Sequence, residues 1–286
     1  MIAPRSLRAD DLVLSHFSLD RNHPLDDRIH SAGAAGFAGI GLFAGQFIGM
    51  REQGFTIAEL RDLLDTDGVC LAEIEVLAGW GSASPADTYW EFESIVWELV
   101  DAFECRYVQA IGSYEGSIAE AAERFGSVCD RAADHGAVVG LEFLPFTNIV
   151  DAADALAIVE EADRTNGGVC VDIWHHARGA DDLDLIRAIP PELITGVQMS
   201  DGPIAPTLSD YRDDCLRHRV PPGDGEFGAV EFVRTMIDLG VDVPWSLEVC
   251  NDDVWGHPGA DHVQRVADGM RRVLHEARRA TPTTFA

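Results

Sequence analysis

Four apolar strand cores in the second half of this chain each run into one side chain with a hard oxygen donor. Val-Val-Gly-Leu leads to Glu142, Val-Cys-Val to Asp172, Ile-Thr-Gly-Val to Gln198, and Trp-Ser-Leu to Glu248. The spacings of 30, 26 and 50 residues leave room for a helical crossover within each interval. Parallel strands joined by such crossovers bring their C-terminal ends to one face. If the sheet closes on itself, three carboxylates and an amide oxygen stand there in a single ring. An oxygen-rich set of this kind suits Mg²⁺ or Mn²⁺ better than zinc, with Co²⁺ as a further candidate.

The same alternation runs the length of the chain. Apolar runs predict strands at 12–18, 39–42, 69–76, 107–111, 138–143, 168–172, 194–199 and 245–249, several of them apolar throughout, as strands buried on both faces should be. Amphipathic stretches predict helices at 25–35, 56–65, 86–103, 117–135, 152–162, 183–188, 229–239 and 260–279. Thr56 and Ser117 each precede a Glu by three residues, Glu59 and Glu120, the pattern of a capping box. Eight βα units predict a single α/β domain, a (β/α)8 barrel over residues 1–280, with 281–286 as a frayed tail. No GxGxxG follows the first strand, which argues against a doubly wound dinucleotide fold.

Charge narrows the partners. The chain has 21 arginines, no lysine and 49 acidic residues, for a formal charge of −28. Such a surface repels nucleic-acid backbones and anionic membranes. The six cysteines form no CxxC pair, which suits a reducing cytoplasm. The N-terminus shows no signal-peptide pattern, and no apolar run reaches membrane-spanning length. The expected partner is a small carbohydrate-like molecule, with self-association into a homo-oligomer left open.

The individual residues carry alternatives. Glu142 and Glu248 are flanked by apolar residues, where a bare charge is costly unless a metal or an arginine meets it. Asp172 opens a D-x-x-H string, so His175 can project over the same cavity as a donor to substrate or can pack and cap the next helix. Gln198 is a fourth ligand by register, or a buried amide bonded to its neighbours. Arg219 precedes the stiff Pro-Pro-Gly turn and can offer a planar pair of donors to substrate. Trp174 and Trp255, near strand ends, can stack on a sugar ring or simply pack.

The ordered strings GLEFLPF, VDIWHHARG, VQMSDG, HRVPPGDGEF and SLEVCN resemble the xylose-isomerase-like TIM barrels, the sugar isomerase/epimerase superfamily, most strongly over residues 137–250. The resemblance implies a divalent-metal site of Glu142, Asp172, Gln198 and Glu248, with His175 and Arg219 on the substrate. Glutamine as fourth ligand matches the hydroxypyruvate-isomerase-like and inosose-dehydratase-like branches. Two positions depart from common patterns: Gly41 stands where a Glu often ends the second strand, and Asn148 where ketose epimerases carry a second acid.

The implied chemistry is removal of a proton α to a carbonyl, with Glu142 and Glu248 as the bases. The expected function is isomerisation or epimerisation of a small polyhydroxy ketone, a sugar or inositol derivative. The alternative is a metal-dependent dehydratase or lyase of a keto-inositol, dehydroshikimate or oxidised glycoside type. A non-catalytic sugar-binding barrel and an abasic-site endonuclease rank lower, the latter because of the acidic surface.

Overall fold

The computed structural model describes residues 7–279, and the tail predicted at 281–286 lies outside them. Eight parallel strands pair in chain order: β1 (Leu12–Leu14), β2 (Gly39–Phe43), β3 (Cys70–Ala78), β4 (Tyr107–Ile111), β5 (Val138–Glu142), β6 (Gly167–Asp172), β7 (Ile194–Met199) and β8 (Trp245–Leu247). β8 pairs back onto β1, with Leu12 opposite Trp245 and Leu14 opposite Leu247, and closes the barrel. The surrounding helices are α1 (Leu25–Ala34), α2 (Ala44–Glu52), α3 (Ile57–Asp67), α4 (Asp87–Phe103), α5 (Ile118–Asp134), α6 (Ala152–Ala162), α7 (Ile173–Arg178), α8 (Leu183–Arg187), α9 (Tyr211–Arg217), α10 (Ala229–Leu239) and α11 (Ala260–Arg279).

Local chemistry places the helix boundaries. Both capping boxes form: Thr56 and Ser117 accept from the backbone of Glu59 and Glu120, whose side chains bond back to the cap backbone. Each such cap contributes about 1 kcal/mol. β1 stops at Leu14 instead of running to residue 18, because the Ser15 hydroxyl accepts from Phe17 N and caps a 3-10 turn at His16–Ser18. Three helices have no counterpart in the sequence reading. α2 carries Gly45 and Gly49 and little periodicity, while α7 and α9 are only 6 and 7 residues long.

The strands are not apolar on both faces. Their Val, Ile and Leu side chains pack into the hydrophobic core with the helices. Their other faces are mostly polar or small, with Val13 and Ile111 among the apolar exceptions. Ser246 on β8 donates to Glu73 on β3 at 2.6 Å, and Gln109 on β4 donates to Gln198 on β7 at 3.1 Å. Those strands are not neighbours, so the bonds cross the barrel interior. Bulky aliphatic layers usually fill this space. Here the Tyr107 ring fills part of it, over Gly140 and Gly196. A Cβ at either glycine would lie 2.1 or 2.2 Å from the Tyr107 hydroxyl.

Glu73 and Glu75, both on β3, bring two carboxyls into this interior. Glu75 accepts from the Ser15 hydroxyl at 2.9 Å and from His16 N at 2.8 Å. Burial pushes Glu73 up to about 7, although Ser246 pulls the other way. Burial, with Glu73 adding to it, pushes Glu75 well above the usual carboxylate range. A Cβ at Gly41 would sit 1.8 Å from Glu75 Oε1. The carboxylate that fills the space beside β2 therefore comes from the third strand, which accounts for glycine at position 41.

Candidate active site

The C-terminal strand ends open into a cavity of about 1230 Å³. Its floor includes Gln109, Glu142, His175, Arg219 and Glu248, and aromatic residues such as Phe17, Phe43, Phe146 and Trp255 line its walls. Glu142 is the last residue of β5 and Asp172 the last of β6, so backbone register places both carboxylates on one rim. Gln198 stands opposite Asp172 on β7. Glu248 follows β8 by one residue, and its N–H still bonds to Met199 O at 3.0 Å.

Asp172 has two roles at once. Its Oδ1 accepts from Trp174 N at 2.6 Å and caps α7, which swings His175 back over the rim. Its Oδ2 accepts from Arg219 Nη1 at 2.8 Å. The same Arg219 Nη1 lies 3.0 Å from Glu248 Oε2, so one buried guanidinium joins two carboxylates. Burial alone would push Asp172 up, but Arg219 and His175 outweigh it and hold the carboxyl below its ordinary value. Glu248 goes the other way: burial pushes it well up, against the pull of Arg219.

Arg219 is held from below by Cys215, whose carbonyl accepts from Nε at 3.0 Å, and the guanidinium lies over the Trp174 ring at 5.3 Å. The turn beyond it is tied down by Asp201, which accepts from Gly223 N and Phe227 N at 3.0 and 2.9 Å. The sequence expectation had Arg219 free to meet substrate oxygens. The structure places it on the cavity floor with its Nη1 shared between Asp172 and Glu248.

Glu142 differs from its neighbours. Its Oε2 accepts from Gln109 Nε2 at 2.6 Å. Its Oε1 is buried without a hydrogen bond and lies 3.3 Å from His175 Nε2. His175 Nδ1 is 2.8 Å from the Tyr211 hydroxyl, and burial keeps that phenol protonated by pushing it up. Donor atoms of Glu142, Asp172 and His175 all lie within 4.8 Å of one another, and this buried cluster can hold a metal ion. A buried carboxyl oxygen with no hydrogen bond, facing an imidazole at 3.3 Å, is what a cation would satisfy. His175, expected on substrate, thus sits among the possible ligands. Gln198 Oε1 instead accepts from Gln109, and Glu248 is on Arg219.

The two tryptophans separate. Trp174 is 0% exposed and packs in the wall behind the cavity, sandwiched between Arg219 and Arg178 and edge-on to Phe227. Trp255 is 37% exposed and lines the cavity. Asn148 bonds the Tyr114 backbone at 3.0 and 2.9 Å and joins two loops. Sequence reading passed over Gln109 and Tyr211. The even spacing of Tyr107, Gln109 and Ile111 along β4 was the available signal for the first; nothing local distinguished the second.

None of the six cysteines is in a disulfide. Among the described residues, no helix is long and apolar enough to cross a membrane.

A family model described as xylose isomerase-like TIM barrel matches residues 29–277. A 3-dehydroshikimate dehydratase of Pseudomonas putida is 32% identical over 147 residues, 51% of this chain and 22% of that protein. The match thus spans about a fifth of that relative's length. Among solved structures, an IOLI protein with a bound zinc atom superposes with a TM-score of 0.80 at 16% identity, covering 93% of this chain and 99% of that one. A D-allulose 3-epimerase from Methylomonas sp., in complex with D-allulose, gives 0.71 at 14% identity, covering 93% and 98%.

Proposed function

Because the chain belongs to the xylose isomerase-like TIM barrel family, we propose that it is a divalent-metal-dependent lyase that dehydrates a small polyhydroxy ketone. The observation that carries this reading is the asymmetry of the two glutamates. Glu142 Oε1 has no hydrogen bond and faces the His175 imidazole, while Glu248 is tied to Arg219. Epimerisation with a base on each face needs two free carboxylates. Elimination needs one base with an acid beside it.

Glu142 and Asp172 would hold the ion, with Gln198 brought in by a small side-chain shift, while Glu248 stays on Arg219 and His175 Nε2 is left for proton transfer. These oxygen donors favour Mn²⁺ or Mg²⁺. A divalent ion there supplies Lewis-acid stabilisation of the enolate.

The residues of the chain do the proton work. Glu142 Oε1 takes the α proton, and the C–H electron pair becomes the new double bond. The β C–O bond breaks with its electrons on oxygen, and His175 Nε2 gives that oxygen a proton, so that water leaves. Glu142, 3.3 Å away, returns the proton to His175. Tyr211 fixes the imidazole through Nδ1. Arg21 and Arg212 line the cavity without a salt bridge among the described residues and suit a substrate that bears a carboxylate. The likeness to dehydroshikimate dehydratases supports the same outcome.

Isomerisation or epimerisation is the second reading, supported by the shared fold of sugar epimerases. One assay separates the two: Mn²⁺-loaded protein is offered 3-dehydroshikimate and neutral ketohexoses in D₂O. Growth of ultraviolet-absorbing unsaturated product supports elimination. Deuterium incorporation into ketohexose without such product overturns it in favour of epimerisation.

A further inference from the structure

We propose that Gln109 is a positioning residue that decides which oxygen of Glu142, and which end of the Gln198 amide, is available to a metal ion. The proposal rests on the metal-dependent reading above.

Gln109 is 2% exposed and stands on β4 in the floor of the cavity. Its Nε2 donates to Glu142 Oε2 at 2.6 Å and to Gln198 Oε1 at 3.1 Å. Both protons of one amide nitrogen are thereby used, one on each of two strands. Gln198 Nε2 returns a long contact to Gln109 Oε1 at 3.5 Å.

Two consequences follow. A carboxylate can turn either oxygen to the cavity, and the bond from Gln109 engages Oε2 and leaves Oε1 free. A glutamine amide can also flip end for end. With Gln109 Nε2 against it, a flipped Gln198 would set N–H against N–H. The bond therefore holds Gln198 with its oxygen toward Gln109, and the other contact on that oxygen is the Cys170 thiol at 3.7 Å, a weak donor that a cation can displace. An apolar side chain at 109 would leave a buried Glu142 oxygen without its donor and the Gln198 oxygen with only the Cys170 thiol. Asparagine keeps the chemistry but is one methylene short of both partners.

The test is Mn²⁺ titration by calorimetry on the full chain, with thermal unfolding and steady-state kinetics beside it. Gln109→Met and Gln109→Asn should each weaken Mn²⁺ binding about 10- to 100-fold, the range seen when partners that orient metal ligands are lost. kcat should fall at saturating metal, while KM for the keto substrate moves less than threefold. In a double-mutant cycle with Gln198→Met, the combined loss of affinity should be smaller than the product of the single losses, because both act on one bonded pair. Asparagine is the control for folding: if the Met variant does not fold, the Asn variant carries the test. Wild-type-like Mn²⁺ affinity in a folded Gln109 variant, or fully multiplicative losses, overturns the positioning role. A wild-type protein that binds no divalent ion overturns the metal-dependent reading itself, and this proposal with it.

Discussion

Replacing Arg219 with Met should destabilise the metal-free protein far more than the metal-loaded one. Arg219 Nη1 meets Asp172 at 2.8 Å and Glu248 at 3.0 Å, and all three side chains are buried. Removing one partner from a buried ion pair typically costs about 3–5 kcal/mol, because the other charge stays buried and uncompensated. Here two carboxylates lose their cation, so the upper half of that range applies. Protonation of Glu248, already pushed up by burial, limits the loss. For a domain of this size about 1 kcal/mol moves Tm by roughly 2–4 °C, so the expected drop in EDTA is about 8–20 °C. A divalent ion at the rim supplies the missing positive charge. Saturating Mn²⁺ should therefore recover more than half of the drop, whereas the wild type should gain less. The assay is calorimetry of both proteins in EDTA and in Mn²⁺ at pH 7.5. Equal Tm losses in the two buffers would refute the reasoning, because Arg219 would then act through packing on Trp174 and not through charge.

Other outcomes are equally concrete. Glu142→Gln should lower kcat by about 10²- to 10⁴-fold, the contribution of one general base, with the fold retained; near-wild-type turnover at saturating metal would remove Glu142 from the mechanism. Glu73→Gln should flatten the pH dependence of stability in EDTA. The folded carboxyl titrates near 7, above its unfolded value, so it contributes stability below about pH 4.5 that is lost as pH rises towards 7. At about 1.4 kcal/mol per pH unit the loss is about 3 kcal/mol, and urea unfolding of wild type and variant at pH 5 and 8 measures it. Gly41→Ala should cost about 1–3 kcal/mol, because its Cβ would meet Glu75 Oε1 at 1.8 Å and the acid must move. A Tm unchanged from wild type would show that Glu75 relocates freely.

Strand and helix periodicity determined the barrel. The residue sets at β4, β7, α6, α10 and α11 were legible to their ends, because hydrophobic period and cap chemistry are local. The strand-end placement of Glu142, Asp172, Gln198 and Glu248 was legible in part, but the register was not: Asp172 stands opposite Gln198, whereas Glu142 stands opposite Cys170 and Gln198 also opposite Ser246. What those side chains touch was not local. Arg219 comes from a loop 47 residues beyond Asp172, and its place between two acids depends on Cys215, Trp174 and the Asp201-braced turn. Trp174 and Trp255 looked alike beside their strand ends, yet α7 carries Trp174 into the wall, while Trp255, in the segment after β8, lines the cavity. Gln109, Glu73 and Glu75 became interior groups only when the sheet closed, since a bond across the barrel joins strands that no sequence window contains. Tertiary closure, and not the pattern along the chain, decided which acid is left with a free oxygen.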